Sequence, residues 1–201
     1  ETLTDIEKRF AKEAGHIRVL IHSLAFGTLR PFVAAKLEEA ITQAQLEMTC
    51  DVMAHSLVYW TQGLIVRKLM RRGGRIFALT SSGGHAQIPS YGAVSAAKAA
   101  LESHCRQLAM ELGPRGITAN AIMAGVTDTP ALRKIPDNME MLSIARNKNP
   151  GCRLTMPEDV AKAIALLANE DAFWISGNVI GVDGGEDIVS YVGQKTELEN
   201  D

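Results

Sequence analysis

The sequence has little cysteine: Cys50, Cys105 and Cys152 are the only three in 201 residues, an odd number with no CxxC spacing. That argues against a disulfide scaffold or a zinc ribbon, and idle thiols in a reducing compartment are expected. Neither charge dominates. A formal net charge of −2 with 22% charged residues describes neither a basic nucleic-acid binder nor an acidic disordered chain. Apolar runs are too short and too interrupted to span a bilayer. The five histidines, His16, His22, His55, His85 and His104, show no HxxxH spacing, so no metal site is expected. Ser81 and Ser82 lie in no GxSxG elbow, which argues against a hydrolase. The acidic, amphipathic N-terminus has no signal-peptide pattern, and a cytoplasmic location is the expectation.

What is present is a chain 46% hydrophobic, enough for one domain with a real core over residues 1–201. Leu3, Ile6, Phe10 and Ala14 keep a helical period that Gly15 closes. "HIRVLIHSLAFG" carries a continuous apolar run suited to a strand buried on both faces. A long helix is predicted from Leu37 to Arg72 with Gly73-Gly74 as its stop, then a strand at "RIFALTSS". A second long helix runs from Ser90 to Leu112, ended by Gly113-Pro114 and Gly116. "ITANAIMAG" is a strand, and Val126 to Leu154 reads as irregular or partly helical. Thr155 to Glu158 resembles a capping box for a helix reaching about Leu167, and "GNVIGVDGG" is the last strand. Strands alternating with helices predict an α/β fold: a parallel sheet covered on both faces.

In such sheets ligands bind beyond the carboxyl ends of the strands. Three segments sit there: "HSLAFG" (His22 to Gly27), "TSSGG" (Thr80 to Gly84) and "AGVTDT" (Ala124 to Thr129). Their small, hydroxylated residues suit either a flat polar cofactor or plain turn geometry. Tyr91 and Lys98 follow "TSSGG", and seven helical residues turn through roughly 700°, which returns Lys98 to the face of Tyr91. An ammonium near a phenol lowers its pKa, and a phenol can donate to an oxygen that gains negative charge. A helix-start tyrosine with a solvated lysine is the plainer alternative.

The strand "RIFALTSSGG", the helix "SYGAVSAAKAALESHCRQLAMELGPRGI", the segment "TANAIMAGVTDT" and the final "GNVIGVDGG" resemble the short-chain dehydrogenase/reductases from Glu1 to about Ile188. The Tyr-x6-Lys spacing and "LIHSLAFG" are closest to the enoyl-acyl-carrier-protein reductases. The commoner carbonyl reductases carry Tyr-x3-Lys, where Val94 stands here, and an asparagine where Met53 stands. The resemblance implies a Rossmann-like, three-layer, doubly wound parallel sheet. It also implies an enzyme of fatty-acid synthesis that reduces the C=C bond of an enoyl thioester, its acyl group on acyl carrier protein, with NADPH or NADH. Tyr91 would face the enolate oxygen, and Lys98 would hold the nicotinamide ribose. Ser23, Leu24 and Ala25 would lie along the cofactor with Gly125, Thr127 and Thr129, and Phe26 and Gly27 beside the substrate. Ser81, ten residues before Tyr91, reads as an oxygen donor or as a strand-end hydroxyl. Residues 130–154 correspond to a substrate-covering loop, where "MEML" and Ile144 line an acyl tail or simply form a surface helix.

Two other readings stand beside this one. A carbonyl reductase of the same superfamily would act on another substrate, and a non-catalytic paralogue would bind no cofactor. The glycine-rich turn that receives a dinucleotide pyrophosphate is not in the sequence, so about two N-terminal βα units are expected to be missing from this chain. Apolar residues on several faces of the long helices suggest a homodimer or homotetramer. The acidic "QKTELEND" is expected to be a disordered end.

Overall fold

A computed structural model describes residues 2–130, 132–135 and 138–190, so "QKTELEND" and part of the expected substrate loop lie outside the described residues. The chain enters as helix α1 (Thr2–Glu13), whose stop is Ala14 at φ 50°, one residue before the glycine that the sequence suggests. Strand β1 (Ile17–His22) follows, then helix α2 (Gln43–Cys50), a π turn (Asp51–His55) and helix α3 (Ser56–Val66). Strand β2 (Met70–Thr80) leads to helix α4 (Gly92–Leu112) and strand β3 (Thr118–Ala124). Helices α5 (Asn138–Lys148) and α6 (Pro157–Leu167) precede strand β4 (Val179–Val182).

The four strands lie in the order β1-β2-β3-β4, every neighbour parallel. Alternation along the strands separates two faces. Ile76, Ala78, Ala119 and Ala121 join Met53, Leu57, Val94, Ala97 and Leu101 in the main core, which lies under α2 to α4. Arg75 and Asn120 point the other way, where Arg75 Nη2 reaches Asn169 O and Asn120 Nδ2 reaches Ile175 O just after α6. Helices therefore cover both faces. At the β1 edge the second face is thinly covered, and Ile21 is 49% exposed.

The predicted single helix over Leu37–Arg72 is not what forms. Thr42 caps α2 through a reciprocal box with Gln45, its Oγ1 accepting from Gln45 N and its own N–H donating to Gln45 Oε1. At the other end Lys68 takes φ 57° and Leu69 N–H returns to Leu64 O at 2.9 Å, a closing turn with no glycine in it. Met70 is already paired with Ile17, so Gly73 and Gly74 lie inside the strand rather than ending the helix. They form a bulge: the register jumps from Ile17↔Met70 to Val19↔Arg75, and Gly73, at φ 86°, donates to Gly116 O. The second capping box is also displaced by one residue. Met156 is the N-cap of α6, and Asp159, not Glu158, accepts from Met156 N–H at 2.9 Å. Thr155 is buried instead.

Candidate functional site

Tyr91 and Lys98 both lie against the end of β2 and the turn that follows it. Tyr91 is the N-cap of α4, at φ −96° and ψ 0°, and its ring lies against the turn after β2. The turn admits the ring because Gly83 has no side chain: a Cβ there would stand 2.7 Å from Tyr91 Cε1 and 3.2 Å from Ser81 Oγ. One helical turn beyond Tyr91, the buried Ser95 hydroxyl donates to Gly83 O and ties the glycine turn to α4. Two turns beyond, Lys98 is buried and donates from Nζ to Leu79 O at 2.6 Å. Glu102 follows at the next turn and accepts from Thr80 Oγ1 at 2.7 Å. One side of one helix thus carries Ser95, Lys98 and Glu102, each hydrogen-bonded to the end of β2 or the turn after it, with the Tyr91 ring packed on that turn at the N-cap.

Ser81 Oγ is buried and has no hydrogen-bond partner of good geometry. It still lies near enough to Tyr91 to draw the phenol down slightly, against the larger upward push of burial. The net direction is up. An ammonium beside the phenol would lower it, but burial wins and Lys98 is not among the influences on it. Tyr91 is therefore held in its neutral, donating form. Lys98 is itself pushed down to about 8 by burial, with the Glu102 carboxylate opposing.

His22, at the end of β1, opens the expected His22 to Gly27 segment and has a partner in the fold that the segment alone does not reveal. It is buried, its Nε2 lies 2.8 Å from Ser56 Oγ, and Ser56 Oγ donates to Val52 O at 2.7 Å across the π turn. Burial and then the Lys98 charge push the imidazole down to about 4, against a smaller upward pull from its own backbone. A histidine that resists protonation when folded weakens the fold in acid. Its penalty is absent above the ordinary histidine pKa near 6.5, grows as pH falls towards 4, and reaches about 3 kcal/mol. His22→Gln is expected to remove that part of the acid sensitivity, read as a flatter dependence of urea midpoint on pH from 6.5 to 4.

The remaining candidates fall into two groups. Ser23, Leu24, Ala25 and Phe26 lie exposed in the loop that leaves β1, with Phe26 66% exposed. Gly27 closes that loop tightly, since a Cβ there would meet Thr49, Val94 and Met53 within 3.1 Å. Val94 and Met53, the two departures from the carbonyl-reductase pattern, are thus buried packing groups. Gly125 has a packing reason too: its Cα faces Thr155 Oγ1 and Asp183. Thr127 Oγ1 donates back to Gly125 O, and Thr129 Oγ1 accepts from Leu132 N. The loop is anchored by Val126 N–H on the buried Glu186 carboxylate. On α5, Met139 and Ile144 are exposed, as a surface helix or an acyl-facing one would have them.

His85 Nε2 lies 3.1 Å from Asp187 Oδ1. Cys105 is buried with its thiol pushed up to about 12, an inert state. Ser95 and Glu102 were legible in principle, each four residues after a candidate on the same helix. His22 was not, because Ser56 is thirty-four residues away.

Comparison with known proteins bears on this site. The family model described as enoyl-(acyl carrier protein) reductase matches residues 1–186. The enoyl-(acyl-carrier-protein) reductase (NADH) of Escherichia coli is 32% identical over 151 residues, which cover 75% of this chain and 57% of that protein. The 1-cyclohexenylcarbonyl-CoA reductase of Streptomyces collinus is 36% identical over 125 residues, 61% of this chain and 45% of that protein. The crystal structure of enoyl-(acyl-carrier-protein) reductase (NADH) from Aquifex aeolicus superposes with a TM-score of 0.82 at 28% identity, covering 94% of this chain and 72% of that one.

Proposed function

The chain belongs to the enoyl-(acyl carrier protein) reductase family, and from that membership we propose that the protein reduces the C=C bond of an enoyl thioester with a nicotinamide cofactor in fatty-acid synthesis. One observation carries the reading: a phenol kept protonated by burial, a buried serine hydroxyl near it and a buried lysine lie at the end of β2 and the turn after it. The same groups suit a nicotinamide nucleotide. Lys98 uses one of its three N–H bonds on Leu79 O, which leaves two for ribose hydroxyls. Ser23, Leu24 and Ala25 would flank the ring, and Gly125, Thr127 and Thr129 the far side. NADH is favoured over NADPH because the Escherichia coli and Aquifex aeolicus relatives carry it in their names.

When bound, the cofactor supplies hydride to the β-carbon of the unsaturated acyl group. Negative charge then collects on the thioester oxygen, three bonds from the attacked carbon, until the α-carbon takes a proton from solvent and the carbonyl is restored. Tyr91 donates its hydrogen bond there, and a donor of high pKa does so without losing its proton to solvent. Ser81 gives a second hydroxyl to the same oxygen. Lys98 keeps the sugar in place and adds a positive field. Phe26, Gly27 and the exposed apolar residues of α5 would border the acyl tail. The reacting thioester would be carried by acyl carrier protein, although the Streptomyces relative is named for a coenzyme A thioester.

The full-length gene product is expected to oxidise NADH with a crotonyl thioester. Turnover of a 3-oxoacyl thioester but not the enoyl one would favour a carbonyl reductase, and binding of neither cofactor a non-catalytic paralogue. Because Lys98 loses its charge near pH 8, the cofactor KM should rise above that pH and stay level below it. A KM that stays level from pH 7 to 9.5 would remove Lys98 from the ribose.

Tyr59, Trp60 and Val66 on α3 and Met110 on α4 are exposed, and a second copy of the chain would cover such a face. A homodimer or homotetramer is expected in sedimentation, and a monomer alone would reject it. Among the described residues no helix is long and apolar enough to cross a membrane, and the cytoplasm is the proposed location.

A further inference from the structure

Ser56 has one hydroxyl proton, and it goes to Val52 O at 2.7 Å. The 2.8 Å contact between Ser56 Oγ and His22 can then be satisfied in only one way, with His22 Nε2–H donating to that oxygen. The lone pair is left on Nδ1, which is buried with no neighbouring group but the residue's own backbone making a contact of this kind. The opposite tautomer would turn Nδ1–H towards the residue's own carbonyl, but it would ask the one Ser56 proton to serve two acceptors.

Strand register brings this imidazole beside the catalytic lysine. His22 pairs with Ala78, Lys98 Nζ is bound to Leu79 O, and adjacent strands lie only about 4.8 Å apart. Ala78 belongs to the core on the α4 side of the sheet, the side from which Ser56 and Lys98 both approach. The elements packed here carry Tyr91, Lys98 and Glu102 at the N-cap and first turns of α4, with His104, Cys105, Arg106 and Glu111 farther along it, Asp51 and His55 on the π turn, Tyr59 on α3 and the arginines of β1 and β2. Of these, only Lys98 acts on His22 through its charge, with burial the larger influence.

We propose that His22 is a positioning residue for Lys98: Ser56 locks it as the uncharged Nε2–H tautomer, so that the buried ammonium meets a lone-pair edge and is held ready for the cofactor ribose. This rests on the reading of Lys98 given above. A second N–H donor, or an imidazolium, at that edge would set like partial charges against each other where little water screens them. The π turn has a part in this. It carries the Val52 carbonyl that consumes the Ser56 proton, and so it fixes the tautomer from a distance.

Long-range proton–nitrogen NMR on the full-length gene product reads the tautomer directly. The Nε2–H form, uncharged at pH 6, is expected; Nδ1–H or a charged ring at pH 6 would overturn the proposal. His22→Phe keeps the ring volume, and its cofactor KM should rise about tenfold with kcat changed less than threefold. His22→Gln, which restores a donor to Ser56, should recover most of that loss, and Ser56→Ala should show part of it. In His22→Phe the Lys98 ammonium should also titrate at lower pH, measured by its rate of acylation against pH. A variant that only melts earlier, with unchanged cofactor KM and unchanged Lys98 titration, would contradict the proposal. If the parent protein binds cofactor but reduces no enoyl thioester, the function fails and His22 is judged on binding. If it binds none, the tautomer and the Lys98 titration decide.

Discussion

Tyr91→Phe is expected to lower kcat for an enoyl thioester by about 10²–10³-fold, the range for loss of a donor to a developing oxyanion. The cofactor KM should change little, because Lys98 and the β1 loop are untouched. Stability should move by no more than about 1 kcal/mol: the phenol makes no strong bond in the resting site, and Phe keeps the ring that packs on Gly83. The split matters. A variant that loses cofactor binding along with turnover would place Tyr91 on the ribose rather than on the substrate. A variant that keeps more than a tenth of the parent rate would move the donor role to Ser81.

Gly83→Ala should come next in size, with kcat down roughly 10²-fold from about 1 Å of displacement of the phenol. The backbone itself would accept alanine, because Gly83 is not among the glycines at positive φ. The collision is purely lateral: the new methyl would sit 2.7 Å from the Tyr91 ring and crowd Ser81 Oγ. The Gly83 carbonyl is fixed by Ser95, so the ring rather than the turn has to move. A melting temperature only slightly lowered, with an activity loss shared by kcat and not by the cofactor KM, is the expected pattern. Full activity in Gly83→Ala would show that the ring position seen here is not the working one.

Much of this could be read from residue order alone. The strands at Ile17–His22, Thr118–Ala124 and Val179–Val182 hold the short apolar stretches Val19–Ile21, Ala121–Ala124 and Val179–Val182 bounded by turns, and those signals are local. That Tyr91 and Lys98 face the same end of β2 was legible because helical geometry is regular. Long-range pairing was not. Residues from Leu64 to Met70 continue the apolar pattern of the helix before them, yet the partner of Met70 is Ile17, fifty-three positions earlier. Tertiary pairing ended the helix where local propensity would have extended it, and the two glycines became a bulge. The direction of the phenol pKa failed for a similar reason: a sequence shows that a lysine is near, but not how much water has been removed. His22 belongs to the same class, since its meaning depends on a serine brought in by a closed crossover.

Every role proposed for the site depends on a hydride sent to the β-carbon while Tyr91 holds the thioester oxygen. Reaction of the full-length gene product with a crotonyl thioester and NADH deuterated at the transferable position tests it most directly, with the product mapped by NMR. One deuterium on the β-carbon of a butyryl thioester, formed by the parent protein and nearly absent with Tyr91→Phe, is the expected result. No transfer to crotonyl thioester, or deuterium delivered only to the carbinol carbon of a 3-oxoacyl substrate, would contradict it.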